Sequence, residues 1–473
     1  MVAQAECTLA TKEVGPHGGA LVNCQRPLPA RAGLELEQIH ATKTALWLAA
    51  LPALSLGVRR RLFVQGIVQG VGFRPWVHQL ACANRLSGYV FNSTLGVTIE
   101  IEGPDEGQRR FLAELGSAPS PLAVIDRVQE ETLEAAGYIG FEIRESQATA
   151  SEFVLVPPDI STCDACLADV RDPENRRFGY PFANCTHCGP RYSIIRDIPY
   201  DRRCTTMSEF TMCAACDAEY HDPHNRRFHA QPNACPECGP WVELWDQTSR
   251  LAGGAEAIAQ TRRLLEAGQI VALKGLGGFH LACLATDDDV VRLLRRRKRR
   301  SDKPFAVMAR SAEAAVGLCH LPPADLTALR SIRRPIVLVE RRTDSPLSPL
   351  VAPGLTQVGV MLPYTPLHHL LFDDASYDAL VMTSGNLSEE PIAWRNEDTG
   401  ERLQALADFF LIHNRRIQIR VDDSVVRTFG GRERTLRRSR GYAPSPVDLG
   451  GPVHQILACG GELKNVFCLT KDH

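Results

Sequence analysis

Cys163-Asp-Ala-Cys166 is followed by eighteen residues and then Cys185-Thr-His-Cys188-Gly-Pro190. Fifty positions on, the pattern returns as Cys213-Ala-Ala-Cys216, eighteen residues, and Cys235-Pro-Glu-Cys238-Gly-Pro240. Aligning 163–190 with 213–240 gives 14 identities in 28 positions, among them Asp172-Pro173 with Asp222-Pro223 and Asn175-Arg176-Arg177-Phe178 with Asn225-Arg226-Arg227-Phe228. A repeat of fixed period is a duplicated structural unit. One CxxC brings two thiolates to one ion and a second closes the tetrahedron, so eight cysteines make two four-cysteine zinc sites. Sulfur fills every position and leaves none for water, so both sites are structural. His187 lies between two ligands, but the repeat puts Glu237 there, and His187 is taken as a spectator. Disulfides and iron–sulfur clusters are the other uses of such cysteines. Arg176, Arg177, Arg226 and Arg227 also admit a nucleic-acid-binding ribbon, or pairing with Asp172 and Asp222; no exposed aromatics are interleaved with them, which weighs against nucleic acid. Cys204 stands outside both quartets.

Around this centre the chain is long. Its 473 residues exceed one core and suggest about three domains. Hydrophobic content of 44% and charged content of 23% are those of an ordinary soluble protein. A net charge of -2 gives no global reason for a nucleic-acid or membrane partner. Sixteen cysteines, eight of them in CxxC pairs, argue for metal in a reducing compartment, which points to the cytoplasm. The nearest approach to a membrane span, residues 44–58, is about fifteen residues long and carries Pro52. Residues 1–57 show no periodicity and are expected to be an extension, disordered or the product of a start codon placed too early.

Working toward the N-terminus, residues 59–68 alternate as a strand, with Leu62 and Val64 on one side and Phe63 and Gln65 on the other. Gln69-Gly70-Val71-Gly72-Phe73-Arg74-Pro75 then opens a helix expected over 76–86. Glycines let backbone N–H groups turn into a cup, and a helix N-terminus adds positive potential, so a phosphate is attracted there. Arg74 stands at the mouth, where its fork can take two phosphoryl oxygens. Strands at 88–92 and 96–102, a helix at 106–115 and two more strands make a ferredoxin-like split βαβ. Asn92 ends the second of these strands, facing the loop.

Toward the C-terminus, a helix over 255–268 and a buried strand over 269–273 run into Lys274-Gly-Leu-Gly-Gly-Phe-His280, the start of an α/β domain. Four clusters follow: Lys298-Arg-Arg-Ser-Asp-Lys-Pro304, Leu362-Pro-Tyr-Thr-Pro366, Thr383-Ser-Gly-Asn386 and Asp422-Asp-Ser424. Singly, each has a bland reading. The basic run 295–300 suits a solvated helix end or a nucleic-acid patch, and Ser384-Gly385-Asn386 suits a plain turn. Together they are concentrated positive charge with small hydroxyls and an amide, the groups that clamp a triphosphate.

These motifs resemble three known families in one order. Val68-Gln-Gly-Val-Gly-Phe-Arg74 with Asn92 is similar to acylphosphatase, which implies that Arg74 binds the phosphoryl group and Asn92 orients the attacking water. The stretch 253–445 resembles a YrdC-like domain, which forms carbamoyl adenylates; the resemblance implies nucleotide contacts at Lys298 and Arg300, at Ser384 and Asn386, and at Arg437, with Lys274 at the carbamoyl end. Ser301 stands where relatives often carry proline. Gln455-Ile-Leu-Ala-Cys-Gly-Gly-Glu-Leu-Lys-Asn465 is similar to the opening of an actin-like ATPase domain.

The series as a whole resembles the hydrogenase-maturation carbamoyltransferase family. The expected fold class is therefore α+β and multidomain: an extension over 1–57, a ferredoxin-like acylphosphatase domain over 58–146, two four-cysteine zinc modules over 155–245, an α/β YrdC-like domain over 253–445, and the start of a transfer domain over 455–473. The resemblance implies carbamoyl phosphate and ATP with magnesium as substrates, two structural zinc ions, and a HypE-type maturation protein whose C-terminal cysteine accepts the carbamoyl group. Transfer residues are expected beyond residue 473, so that this stretch hydrolyses carbamoyl phosphate without completing the transfer. A tRNA threonylcarbamoyl-adenylate synthase and a zinc-ribbon scaffold for nucleic acid are the rival readings.

Overall fold

A computed structural model describes residues 58–470, apart from 95, 118–121, 148–154, 448 and 461–465. The extension expected over 1–57 and most of the Gly-Gly-Glu-Leu-Lys-Asn turn lie outside the described residues.

The first unit runs β1 (Arg59–Ile67), α1 (Phe73–Ala83), β2 (Ser87–Ser93), β3 (Gly96–Glu102), α2 (Asp105–Leu115), β4 (Val124–Leu133) and β5 (Phe141–Ile143). Its sheet is ordered β4-β1-β3-β2-β5, antiparallel except for β5, which runs parallel to β2 at the edge. This is the ferredoxin-like arrangement with one added edge strand. Leu62 and Val64, two apart in β1, pack with Ile99 and Ile101 of β3, Val77 of α1 and Phe111 of α2. Truncating such a buried aliphatic side chain costs about 2–5 kcal/mol. α1 starts three residues earlier than its periodicity suggests. Gly72, at φ 76°, turns the loop directly into the helix, so Pro75 falls inside the first turn. Arg85, at φ 56°, stops it.

In the middle segment α3 (Asp164–Arg171) and α4 (Ala214–His221) each begin on the first cysteine of a quartet, Cys163 and Cys213, as N-cap.

The last unit holds β6 (Val242–Trp245), β7 (Arg250–Gly253), α5 (Gly254–Glu266), β8 (Val271–Lys274), β9 (Phe279–Leu284), α6 (Asp288–Arg297), β10 (Ala306–Ala309), α7 (Ala312–Leu318), β11 (Cys319–His320), α8 (Pro323–Arg330), β12 (Ile336–Arg341), β13 (Gln357–Met361), α9 (Pro366–Phe372), β14 (Ala379–Ser384), β15 (Phe409–His413), β16 (Val425–Phe429) and β17 (Arg432–Arg437). They build one mixed sheet in the order β17-β16-β12-β13-β10-β14-β9-β8-β15-β6-β7, with β11 on β12. Both faces are covered. Ala272, Leu281, Val307 and Val381 enter one core, and their neighbours Val271, Ala282, Met308 and Met382 enter the other, the period-2 alternation of a sheet buried on both sides. β18 (Leu457–Cys459) and β19 (Phe467–Leu469) form a separate exposed hairpin.

Candidate functional site

The anion cup lies between β1 and α1. Gly70 and Gly72 take φ 68° and 76°, which only glycine adopts without strain, and a Cβ on Gly70 would meet the Tyr200 ring at 3.0 Å. Gln69 is buried and fixes the loop: its Nε2 donates to the carbonyls of Ser93 (2.7 Å) and Gly96 (2.9 Å). No side chain caps α1, so its first N–H groups remain available to an anion. Arg74 is only 8% exposed and turns into the cup. Its Nη1 donates to Ser146 Oγ at 3.3 Å. The Asn92 carboxamide oxygen accepts from Nη2 and Nε at 3.2 and 3.3 Å, the orientation those donors require. The two residues singled out from sequence are therefore together. The cup is roofed by the middle segment: Thr186, Arg191, Tyr200, His229 and Gln231 line it opposite the loop. Burial, then the charge of Arg74, pushes the His229 imidazole down to about 3, so it stays neutral.

Both cysteine quartets are assembled. In the first, Sγ–Sγ separations are 3.7 Å for Cys163–Cys185, 3.8 Å for Cys185–Cys188 and 3.6 Å for Cys166–Cys188. In the second they are 3.7 Å for Cys213–Cys235 and 3.8 Å for Cys235–Cys238. Four sulfurs about 2.3 Å from one zinc stand about 3.8 Å apart at the corners of a tetrahedron. The residues fit the ion, and His187 is outside the set.

The four repeat arginines do not pair with Asp172 and Asp222, whose carboxylates instead accept from the backbone N–H of Glu174 and His224. Each arginine pair crosses to the other module. Arg176 donates to Cys216 Sγ (3.3 Å), and Arg177 forks onto Glu219 at 3.0 and 2.6 Å. Arg226 reaches Cys166 Sγ (2.9 Å) and Asp169, and Arg227 also meets Asp169. A zinc bound by four thiolates carries net negative charge, and the partner module supplies the compensating guanidinium. Arg177 is 1% exposed. These side chains are committed internally, which removes the basis for a nucleic-acid ribbon.

In the last unit four members of the basic run, Arg295, Arg297, Lys298 and Arg300, find partners within the fold, while Arg296 and Arg299 are exposed. Arg295 Nε donates to Leu350 O at 2.5 Å, and Arg297 pairs with Asp408 at 2.7 Å. Lys298 Nζ donates to the carbonyls of Ser384 (2.6 Å) and Asn386 (2.5 Å). Arg300 Nη1 reaches Thr383 Oγ1 at 3.3 Å, while its guanidinium stacks 5.0 Å from the Phe305 centroid. Burial, then Arg295 and Arg437, brings Arg300 down to about 10. The Asn386 side-chain oxygen is buried without a donor. Arg437 Nη1 donates to Asp423 O at 3.3 Å. Lys298, Arg300, Ser384 and Asn386 thus meet at the end of β14, with the Arg437 charge close by. Lys274 takes other partners, Asn396 Oδ1 (2.6 Å) and His413 O (3.0 Å), a set it does not share with Lys298 or Arg300.

One group beside this cluster escaped the sequence reading. His280 lies across from Ser384 in the β9–β14 register, and its Nε2 is 2.8 Å from Asp423 Oδ2. Arg440 Nε donates to the other Asp423 oxygen at 2.7 Å, with its guanidinium 3.5 Å over the Tyr364 ring. Burial favours a neutral Asp423 carboxyl, but Arg440 and His280 outweigh it and hold the group well below the usual range. The clusters at 274–280, 362–366 and 422–424 were visible singly. No spacing rule says that residues 143 apart converge.

Three family models match the chain in order: acylphosphatase over 60–143, HypF finger over 162–195 and 212–245, and the Sua5/YciO/YrdC family, described as telomere recombination, over 263–439. The assembly is an acylphosphatase domain joined through paired zinc fingers to a Sua5/YrdC-type domain. The carbamoyltransferase HypF of Rhizobium leguminosarum bv. viciae is 50% identical over 419 residues, 87% of this chain and 53% of that one. That of Rhodobacter capsulatus is 51% identical, over 87% of this chain and 54% of the other. A solved full-length HypF in its phosphate- and nucleotide-bound form superposes with a TM-score of 0.84 at 47% identity, covering 88% of this chain and 54% of that one. The chain belongs to the HypF carbamoyltransferase family. It spans about half the length of these relatives. The acylphosphatase of Thermotoga maritima is 41% identical over 85 residues, 93% of its own length.

Proposed function

We propose that this chain carries the first two steps of a carbamoyl transfer. Carbamoyl phosphate enters the cup with its phosphoryl oxygens on the Arg74 fork and the amides at the start of α1. Asn92 positions a water for attack on phosphorus, the bond to the carbamoyl oxygen breaks, and carbamate and phosphate leave. An acyl phosphate is already activated, so positioning and charge stabilisation suffice without a covalent intermediate. Carbamate is unstable in water and passes inside the protein to the second site. There a carbamate oxygen attacks the α-phosphorus of magnesium-bound ATP, pyrophosphate departs, and carbamoyl adenylate forms. Lys298, Arg300, Ser384, Asn386 and Arg437 hold the nucleotide phosphates, with Lys274 toward the carbamoyl end. The whole protein then delivers the group to the C-terminal cysteine of a HypE-type partner. Eight metal-binding thiolates suit the reducing cytoplasm. The modular limits 58–146, 155–245 and 253–445 are part of the same reading.

The observation that carries it is the buried Arg74–Asn92 pair at an uncapped helix N-terminus. ATP–pyrophosphate exchange tests it. With no carbamate supplied from outside, exchange should require carbamoyl phosphate and disappear in Arg74→Ala, whereas Arg300→Ala should still release phosphate from carbamoyl phosphate but exchange nothing. Exchange supported by threonine and bicarbonate instead overturns the reading.

A further inference from the structure

The acyl-phosphate cup is finished by a residue from outside its own fold. Arg74 Nη2 donates to Asp201 Oδ1 at 2.8 Å, and the two side chains are only 9% and 16% exposed. A carboxylate there uses a donor that a phosphoryl group needs, and next to a bound phosphate it is a like charge. It has little freedom to withdraw. The preceding residue, Tyr200, gives its N–H to Gln69 Oε1 in the phosphate loop (3.1 Å) and lies against Gly70. The following residue, Arg202, is tied through its N–H to Gln231 Oε1 (2.6 Å), and through its guanidinium to the carbonyls of Gln231, Asn233 and Phe210. Asp201 is thus held between two anchored neighbours. When substrate takes Arg74, the shielded carboxylate must find another donor or stand unpaired, and an unpaired buried acceptor is costly.

We propose that Asp201 is a specificity-determining residue of the acyl-phosphate site, accepting a hydrogen bond from the amino group of carbamoyl phosphate and so selecting against acyl phosphates that lack an N–H. The inference rests on the acyl-phosphate reading given above and deepens it. With phosphorus in the cup, the acyl group extends away from the glycine loop, toward the roof. Carbamoyl phosphate presents an NH2 there; acetyl phosphate presents a methyl group, which leaves the carboxylate unsatisfied. Sites built around a buried substrate N–H or O–H reject the analogue without it by up to about 10^5. Asp201 keeps some access to water, so a preference of about tenfold to a hundredfold is expected. A free-standing acylphosphatase whose 85 matched residues are 93% of its length has no room for this roof.

The test compares kcat/KM for carbamoyl phosphate and acetyl phosphate in the unaltered chain, Asp201→Ala and the near-isosteric Asp201→Asn, with zinc content and melting temperature as controls on folding. The unaltered chain should prefer carbamoyl phosphate by about tenfold or more. Asp201→Ala should raise kcat/KM for acetyl phosphate and bring the ratio to within a few-fold of one. Asp201→Asn, which keeps an acceptor oxygen without the charge, should retain part of the preference; it decides the matter if the alanine variant loses zinc. A ratio that stays constant in both variants, or a parallel fall for both substrates, overturns the proposal. An unaltered chain that cleaves neither compound overturns the acyl-phosphate reading itself, and this inference with it.

Discussion

Lys274 is buried at the end of β8, and its surroundings weaken its hold on a proton. Burial first, then Arg415, bring its ammonium from 10.5 down to about 7. The unfolded chain keeps the ordinary value, so between about pH 7 and 10.5 it binds a proton that the native state does not. Native stability therefore rises with pH across that window; below pH 7 both states are charged and the whole burial penalty is felt. Lys274→Met removes the titration. The stability difference between the unaltered chain and this variant, from urea unfolding, should move in favour of the unaltered chain from pH 7 to 9.5, by a few kcal/mol at most. A difference independent of pH would show that the lysine is not depressed. At this scale the sequence is readable where a motif is local or repeated: Arg74 was legible because its loop is a few residues long, and the eight cysteines because each CxxC pair is local and recurs at a fixed spacing. Asp201 was not, since it lies 127 residues from the guanidinium it meets, and nothing in its neighbours' types marks it as acidic for a purpose. His280 was hidden in the same way, because its meaning depends on Asp423.

The zinc helices show what a duplicated element adds. Each quartet is complete in its own repeat, and that much follows from the spacing. The repeat cannot say which copy faces which, so the sequence offered the arginine pairs Asp172 and Asp222, whereas they cross to Cys216 and Glu219 on α4 and to Cys166 and Asp169 on α3. Arg226 reaches the sulfur of Cys166 while Arg176 reaches that of Cys216. Each quartet thus receives a guanidinium from the other module, which links the two modules. Cys163→Ser should lose about one zinc and destabilise the fold by several kcal/mol, since binding of structural zinc is folding energy. Arg226→Ala keeps all eight ligands, yet it should speed the chelator-driven loss of one ion of the two, the ion of the first quartet, although the substitution lies in the second repeat. Metal-release kinetics with a colorimetric chelator read this directly. Release unchanged from the unaltered chain would mean that the guanidinium does nothing for the thiolates. The helix limits carried a smaller lesson. Apolar spacing placed α1 late because it ignores Gly72, whose positive φ lets the first turn form immediately after the loop.

Across the whole described molecule, the middle segment is a wedge between the two proposed reaction sites. Toward the first, buried Arg191 donates from Nε to Gly70 O (2.6 Å) and from Nη2 to Thr186 O (2.8 Å), binding the phosphate loop to the stretch beside the first quartet. Asp159 fixes the same stretch by accepting from the N–H groups of Arg191 (2.7 Å) and Ser193 (3.1 Å). Toward the second, Ser161 N–H bonds to Ile332 O (2.9 Å), Thr162 N–H to Tyr364 O (3.1 Å), and Gln418 N–H to Ser193 O (2.8 Å). Tyr364 carries the ring under Arg440, which holds Asp423 beside His280. The order of modules was legible from motifs alone, but this clamping was not, because backbone hydrogen bonds between distant segments leave no residue-type signature. These contacts predict that the two zinc ions support the proposed chemistry without touching it. Stripping them with a chelator at neutral pH should loosen 159–193 and lower both carbamoyl phosphate hydrolysis and ATP–pyrophosphate exchange. Restoring zinc should recover the two together. The exchange assay must be started with carbamate generated from ammonia and bicarbonate, so that its loss is not merely loss of the first step. If exchange under those conditions survives zinc removal while hydrolysis fails, the wedge serves only the cup, and the contacts to Ile332, Tyr364 and Gln418 are packing without consequence for the second site.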